Sequence, residues 1–134
     1  EEKSQQVLMD LSLNIKGLIS QRLIPRLTGV GRIAAMEVML QSPLISDLIF
    51  KGEVTRIKEI MAKSTRIGMQ TFDQDLFQLY ENGKISYEEA IRNADSKNEL
   101  RLRIKLESKR DKPAVVDDSG GLQVVEEKER TMRR

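Results

Sequence analysis

The chain has 134 residues, 39% apolar and 33% charged, a formal net charge of +2, and neither Cys nor His. That is enough for one unit with a packed core, and too little for a nucleotide fold together with a partner domain. The composition excludes disulfides, thiolate metal sites, thiol nucleophiles and a histidine general base, and no apolar run approaches the roughly 18 residues needed to cross a bilayer. Glu1 leads straight into a polar helix start, with neither an initiator Met nor a signal-peptide pattern, which predicts a piece excised from a longer soluble protein.

From Ser4 to about Gln21 the apolar residues Val7, Leu8, Leu11, Ile15, Leu18 and Ile19 recur at helical spacing. Asp10, Asn14 and Lys16 fall opposite, so the spacing predicts an amphipathic helix with a core-packing face that runs into a strand. Leu18–Leu27 and Arg32–Leu40 are apolar-rich runs joined by Thr28-Gly29-Val30-Gly31, where paired glycines allow a tight reversal; a β-hairpin follows. In the second run Ala34, Met36, Val38 and Leu40 alternate against Glu37, the pattern of a half-buried strand, while Pro25 confines the first run to a sheet edge. Ser42-Pro43 predicts an N-cap with proline at the first helical position, and Leu44, Ile45, Leu48 and Ile49 line a helix ending at Gly52. Val54, Ile57, Ile60 and Met61 make the next helix, stopped at Gly68.

Three capping-box spacings follow, Thr71-x-x-Gln74, Ser86-x-x-Glu89 and Ser96-x-x-Glu99, each predicting a short helix. Phe72, Leu76, Leu79 and Tyr80 form the buried face of the first, closed by Asn82-Gly83, and Ala90, Ile91 and Ala94 that of the second. The third is ambiguous: Leu100 to Leu106 alternates strictly like a strand, but the cap and the Leu100/Ile104 spacing favour a helix. From Lys109 the chain turns to Pro, paired Gly and mixed charge without apolar period, predicting a disordered tail over 109–134.

No G-x-x-x-x-G-K-[ST] loop is present, and Gly29-Val30-Gly31 joins two strands rather than a strand and a helix, so no phosphate loop is expected here. Glu88-Glu89, Asp73 and Asp75 sit in helix first turns, where the macrodipole favours carboxylates. The basic cluster Lys97, Arg101, Arg103, Lys105, Lys109 and Arg110 could neutralise phosphates. Interspersed Glu99, Glu107 and Asp111, with no aromatic interleaved for stacking, favour a solvated face or a subunit contact instead.

The stretch Ser64 to Leu106 resembles the C-terminal end of the hexameric ATPases that retract type IV pili, the PilT/PilU family. Gly31-Arg32-Ile33-Ala34-Ala35-Met36-Glu37 is similar to the family's GR-initiated strand, and Gly68-Met69-Gln70-Thr71-Phe72-Asp73 to its G-M-Q-T-x-D stretch. Tyr87-Glu88-Glu89-Ala90 and Ala94-Asp95-Ser96 resemble the PilU-like ending, and the likeness covers Glu1 to about Leu106. Where PilT-like members carry an A-I-R-N-L-I-R-E helix, this chain has Leu44-Ile45-Ser46-Asp47-Leu48-Ile49-Phe50-Lys51, a departure that points to the PilU-like branch.

The resemblance implies a mostly α fold with a small antiparallel hairpin, the C-terminal part of a RecA-like P-loop ATPase domain plus a helical bundle. Residues 1–41 would be the closing helix and hairpin of that domain, 42–108 the bundle and 109–134 the tail. It implies a cytoplasmic hexameric motor at the inner face of the inner membrane, driving pilus retraction and twitching motility alongside a PilT-like partner. ATP and Mg2+ are implied for the longer protein, with the nucleotide boxes upstream. No catalytic, cofactor or metal residue is therefore expected in this chain, and no nucleic acid. Phe50, Lys51 and Arg56, an aromatic beside basic groups, are the candidate subunit or partner interface, though ordinary helix surface explains them as well. The rival reading is a stand-alone helical module that binds an acidic partner or nucleic acid through its basic C-terminal helix.

Overall fold

The structure, a computed structural model, describes residues 2–110. The chain order is α1 (Glu2–Asn14), β1 (Gly17–Pro25), β2 (Arg32–Leu40), α2 (Pro43–Lys51), α3 (Val54–Lys63), a 3-10 turn (Thr65–Ile67), α4 (Phe72–Glu81), α5 (Tyr87–Asn93) and α6 (Lys97–Glu107). The expectation for the tail lies outside the described residues from 111 onward.

The first helix ends at Asn14 and the chain runs on into β1, which takes Leu18 and Ile19 from the overlap of the helical spacing with the strand run Leu18–Leu27. The reason is Gly17, which breaks the helix and pairs with Leu40. A Cβ at Gly17 would lie 3.2 Å from the Met39 carbonyl oxygen, so the close approach of the two strands favours glycine there. Nor does α1 bury its apolar face: Val7, Met9, Leu11 and Leu13 are exposed, and Ser12 is the helix's buried residue. The hairpin forms as expected, antiparallel from Gly17↔Leu40 to Pro25↔Arg32, with Gly29 and Gly31 at φ 74° and 75° in its turn.

The inner face of β2 is the opposite of the one its alternation suggests. Ala35, Glu37 and Met39 are buried, whereas Ala34, Met36 and Val38 are only half-buried. Apolar residues stand on both faces of this strand, so period 2 alone does not select one; the packing helices do, and Glu37 goes inward with them. The outer edge of β2 is closed by the segment before α4. Val38 and Gln70 exchange backbone hydrogen bonds of 2.9 and 3.0 Å, Gln70 Nε2 donates to the Met36 carbonyl, and the Met36 N–H donates to Asp75 Oδ2 at 2.6 Å.

Local caps set the helix bounds. Ser42 Oγ accepts from the Ile45 N–H ahead of Pro43, and α2 stops at Gly52, φ 70°. Helix α3 ends at Ser64 rather than at Gly68, which instead closes the following 3-10 turn. The Thr71 capping box is complete in both directions, and Ser86 Oγ accepts from the Glu89 N–H. Helix α6 is a helix and not a strand, with Leu100 and Ile104 buried on one face, but the Ser96 hydroxyl makes no cap.

Two cores result. Ile24 and Ala35 of the hairpin pack with Phe72, Leu76, Phe77 and Tyr80 of α4 and with Ile85, Ile91, Leu100 and Ile104. Met39, Ile45, Met61 and Met69 form the second beneath α2 and α3.

Candidate subunit or partner interface

Phe50 and Lys51 occupy the last turn of α2, and Arg56 the first turn of α3, on either side of the Gly52-Glu53 corner. Phe50 is 55% exposed. Both cations have local partners: Lys51 Nζ donates to Asp47 Oδ2 at 2.7 Å and Arg56 to Glu53 Oε2 at 2.6 Å. The hydrogen bond and charge of Glu53 raise the Arg56 pKa further above its ordinary value. Such exposed pairs are weak because solvent screens them, so both cations remain open to exchange for a partner's carboxylates.

The structure also assembles a polar clasp that no local spacing announces. Arg22 of β1 donates to the Asn93 carbonyl at 2.6 Å and to Asp95 Oδ1 at 2.8 Å, with its guanidinium 4.1 Å above the Phe72 ring. Lys58 of α3 donates to Asp95 Oδ2 and stands 3.5 Å from Glu37 Oε2. Asp73 then accepts from the backbone N–H groups of Asp95 and Ser96 at 2.8 and 2.9 Å, just ahead of α6, and so takes the Ser96 N–H that Glu99 would hold in a capping box. The hairpin, α3, the start of α4 and the α5–α6 junction are thereby tied at one place. Its members are far apart in sequence, and the only local signal was Asp73 beside the Thr71 cap.

Burial alone would raise the Asp95 carboxyl, but the hydrogen bonds and charges of Lys58 and Arg22 outweigh it and hold the group below its usual range. A depressed carboxyl stabilises fully above its unfolded value, about 3.9, and that contribution disappears as pH falls through the folded value. Because the partner side chains are 39% and 47% exposed, solvent screening limits the term to about 1 kcal/mol. Asp95→Asn is expected to remove that part of the acid destabilisation, so urea midpoints at pH 6 and pH 3 should differ less in the variant than in the wild type.

In the basic cluster of the C-terminal helix, Arg103 and Arg110 are engaged with the core edge. Arg103 lies 4.4 Å over the Phe77 ring and donates to Glu107. Arg110 lies 4.6 Å over Tyr80 and donates to that residue's carbonyl, and the Lys109 N–H donates to Glu81 Oε1 at 2.8 Å. The two arginines shield the aromatic core edge. Among the described residues no group of three or more Asp, Glu, Cys or His is placed to hold a metal, and no helix is long and apolar enough to cross a membrane.

No protein-family model matches the chain. The fold is that of a stretch of a pilus motor ATPase: the pilus retraction motor PilT with bound ADP matches at TM-score 0.62 and 33% identity, over 73% of this chain and 26% of that one. The ATPase DotB of Legionella pneumophila shares the fold at TM-score 0.51 and 22% identity. In sequence the chain is 54% identical over 110 residues to the type IV pilus ATPase PilU of Pseudomonas aeruginosa, covering 82% of this chain and 29% of PilU. It is 38% identical over 94 residues to PilT of the same organism, and 33% identical over 90 residues to a twitching motility protein of Neisseria gonorrhoeae. The chain belongs, over the stretch matched, to the PilT/PilU family of type IV pilus ATPases. It spans less than a third of the length of the curated relatives it matches.

Proposed function

We propose that the polypeptide containing this chain is a PilU-like motor that couples ATP hydrolysis to type IV pilus retraction and so to twitching motility. The observation that carries this reading is the 54% identity to PilU, against 38% to PilT of the same organism. The altered helix Leu44 to Lys51 supports the PilU-like assignment and an accessory role beside a PilT-like ATPase.

In this reading residues 1–41 close the RecA-like ATPase domain and residues 42–108 are its C-terminal bundle. The exposed apolar residues of α1 and of the hairpin, Leu13, Ile19 and Leu23 among them, support it, because further parts of an ATPase domain would cover them. ATP and Mg2+ are held by residues outside this chain, the motor is a hexamer, and it works in the cytoplasm at the inner face of the inner membrane on the pilus machinery there. The rival, a stand-alone nucleic-acid module, is disfavoured by the relatives and by the engagement of Arg103 and Arg110 with the aromatic core. Removing the gene from the source organism tests the motor reading. Impaired retraction, seen as reduced twitching or as pili left on the surface, is expected, most strongly where the PilT-like motor is limiting. Unchanged twitching and piliation in that background would contradict it.

Phe50, Lys51 and Arg56 are proposed as the contact to a neighbouring subunit or partner motor. Phe50→Ala with Arg56→Ala is expected to leave the stability of the chain nearly unchanged. In the full-length protein the same pair is expected to weaken assembly or partner binding about tenfold. Unchanged binding in sedimentation or pull-down titrations would remove this interface.

A further inference from the structure

Helix α6 carries two apolar pairs, of which the core uses one. Leu100 and Ile104 are buried with the side chains of α4 and α5. Leu102 and Leu106, 57% and 74% exposed, are turned outward. At about 100° per residue, Leu102 falls opposite the midline of Leu100 and Ile104, and Leu106 follows it one turn on. Scattered exposed leucines are ordinary, but two stacked at i and i+4 on the outer line of one helix make a stripe that an apolar segment can cover. Exposed Arg101 and Lys105 run along one flank of the stripe, and Glu99 stands on the other, at the end nearer the α6 start.

The sequence that follows is the counterpart of this face. Beyond Arg110 the chain reads Asp111-Lys112-Pro113-Ala114-Val115-Val116-Asp117-Asp118, a proline that favours reversal, then an apolar trio, then two carboxylates. These residues lie outside the described part, but the point from which they start is fixed. Arg110 rests over the Tyr80 ring and donates to the Tyr80 carbonyl, and the Lys109 N–H donates to Glu81 Oε1, so the chain leaves α6 beside the last turn of α4. Six extended residues reach up to about 20 Å, whereas Leu102 lies only about 8 Å of helix rise back from Glu107. A segment turned back antiparallel to α6 therefore brings its valines to the leucine stripe and its two carboxylates to the basic flank. The chain's own last stretch, Arg130 to Arg134, would meet like charge there.

We propose that the segment Ala114 to Asp118 of this same chain folds back onto the outer face of α6, its valines over Leu102 and Leu106 and its carboxylates facing Arg101 and Lys105. The face is then occupied in cis, and a partner that uses it has to displace the segment. The inference uses this chain's residues alone and stands apart from the motor reading.

The test is methyl NMR on the full chain labelled at Leu and Val. Through-space cross-peaks between the methyl groups of Leu102 and Leu106 and those of Val115 and Val116 are expected, with intensities that do not depend on protein concentration. Asp117→Lys with Asp118→Lys, which alters no residue of either core, is expected to weaken them at least about threefold. Val115→Ser with Val116→Ser is expected to move the Leu102 and Leu106 methyl signals and leave those of buried Leu100 in place. Absent cross-peaks, cross-peaks undiminished by the charge reversal, or contact from Val124 and Val125 instead would overturn the proposal. So would cross-peaks between Leu-labelled and Val-labelled chains mixed together, since they would make the occupant a segment of a second copy.

Discussion

Leu76→Ala is expected to lower the unfolding free energy of the chain by about 3 kcal/mol, the largest effect of any substitution considered. Leu76 is fully buried in α4, in the core that joins Ile24 and Ala35 of the hairpin to Phe72, Tyr80, Leu100 and Ile104 of the helices. Alanine keeps the helix propensity, so the loss comes from contacts removed and the cavity left behind. Against a total of about 5–15 kcal/mol for a domain, this is a large fraction. Urea denaturation should show a lower midpoint with an unchanged slope. A loss under about 1 kcal/mol would mean that the hairpin and the helices do not share this core.

Asp73→Ala comes next, with an expected loss of about 2 kcal/mol. Its carboxylate receives the Asp95 and Ser96 N–H groups at the start of α6, two charge-assisted hydrogen bonds that also benefit from the helix dipole. Ser96→Ala, by contrast, is expected to cost less than about 0.5 kcal/mol, because the Ser96 side chain caps nothing. The pair of variants separates the junction bonds that Asp73 makes from the cap that the Ser96-x-x-Glu99 spacing suggests. Equal losses at the two positions, read from the same denaturation curves, would refute the role given to Asp73 in holding the α5–α6 junction.

That contrast marks the limit of what the chain discloses locally. Features fixed within a few residues were legible: the Gly29/Gly31 turn, the Ser42-Pro43 start, the Thr71 box and the Leu100/Ile104 face all stand where spacing placed them. Features decided by distant partners were not. Leu18 and Ile19 fit both a helical period and the strand run Leu18–Leu27, and Gly17 with nine residues of register against β2 makes them strand. The face of β2 depends on helices later in the chain, and Glu37 is drawn inward beside Lys58. The clasp around Asp95 joins residues that no window of sequence contains together.

The candidate interface was legible only as composition. An aromatic flanked by cations named Phe50, Lys51 and Arg56, but the Asp47 and Glu53 partners that occupy those cations appear only once the helices are built. The family, by contrast, was legible in long strings such as Gly68 to Asp73, and relatives at 54% and 38% identity bear it out.

ATP hydrolysis by the purified full-length polypeptide, followed together with its mass in solution, tests the motor account most directly. Turnover of ATP by a six-subunit assembly is the result the account predicts. A polypeptide that neither binds nor hydrolyses ATP and stays monomeric would contradict it.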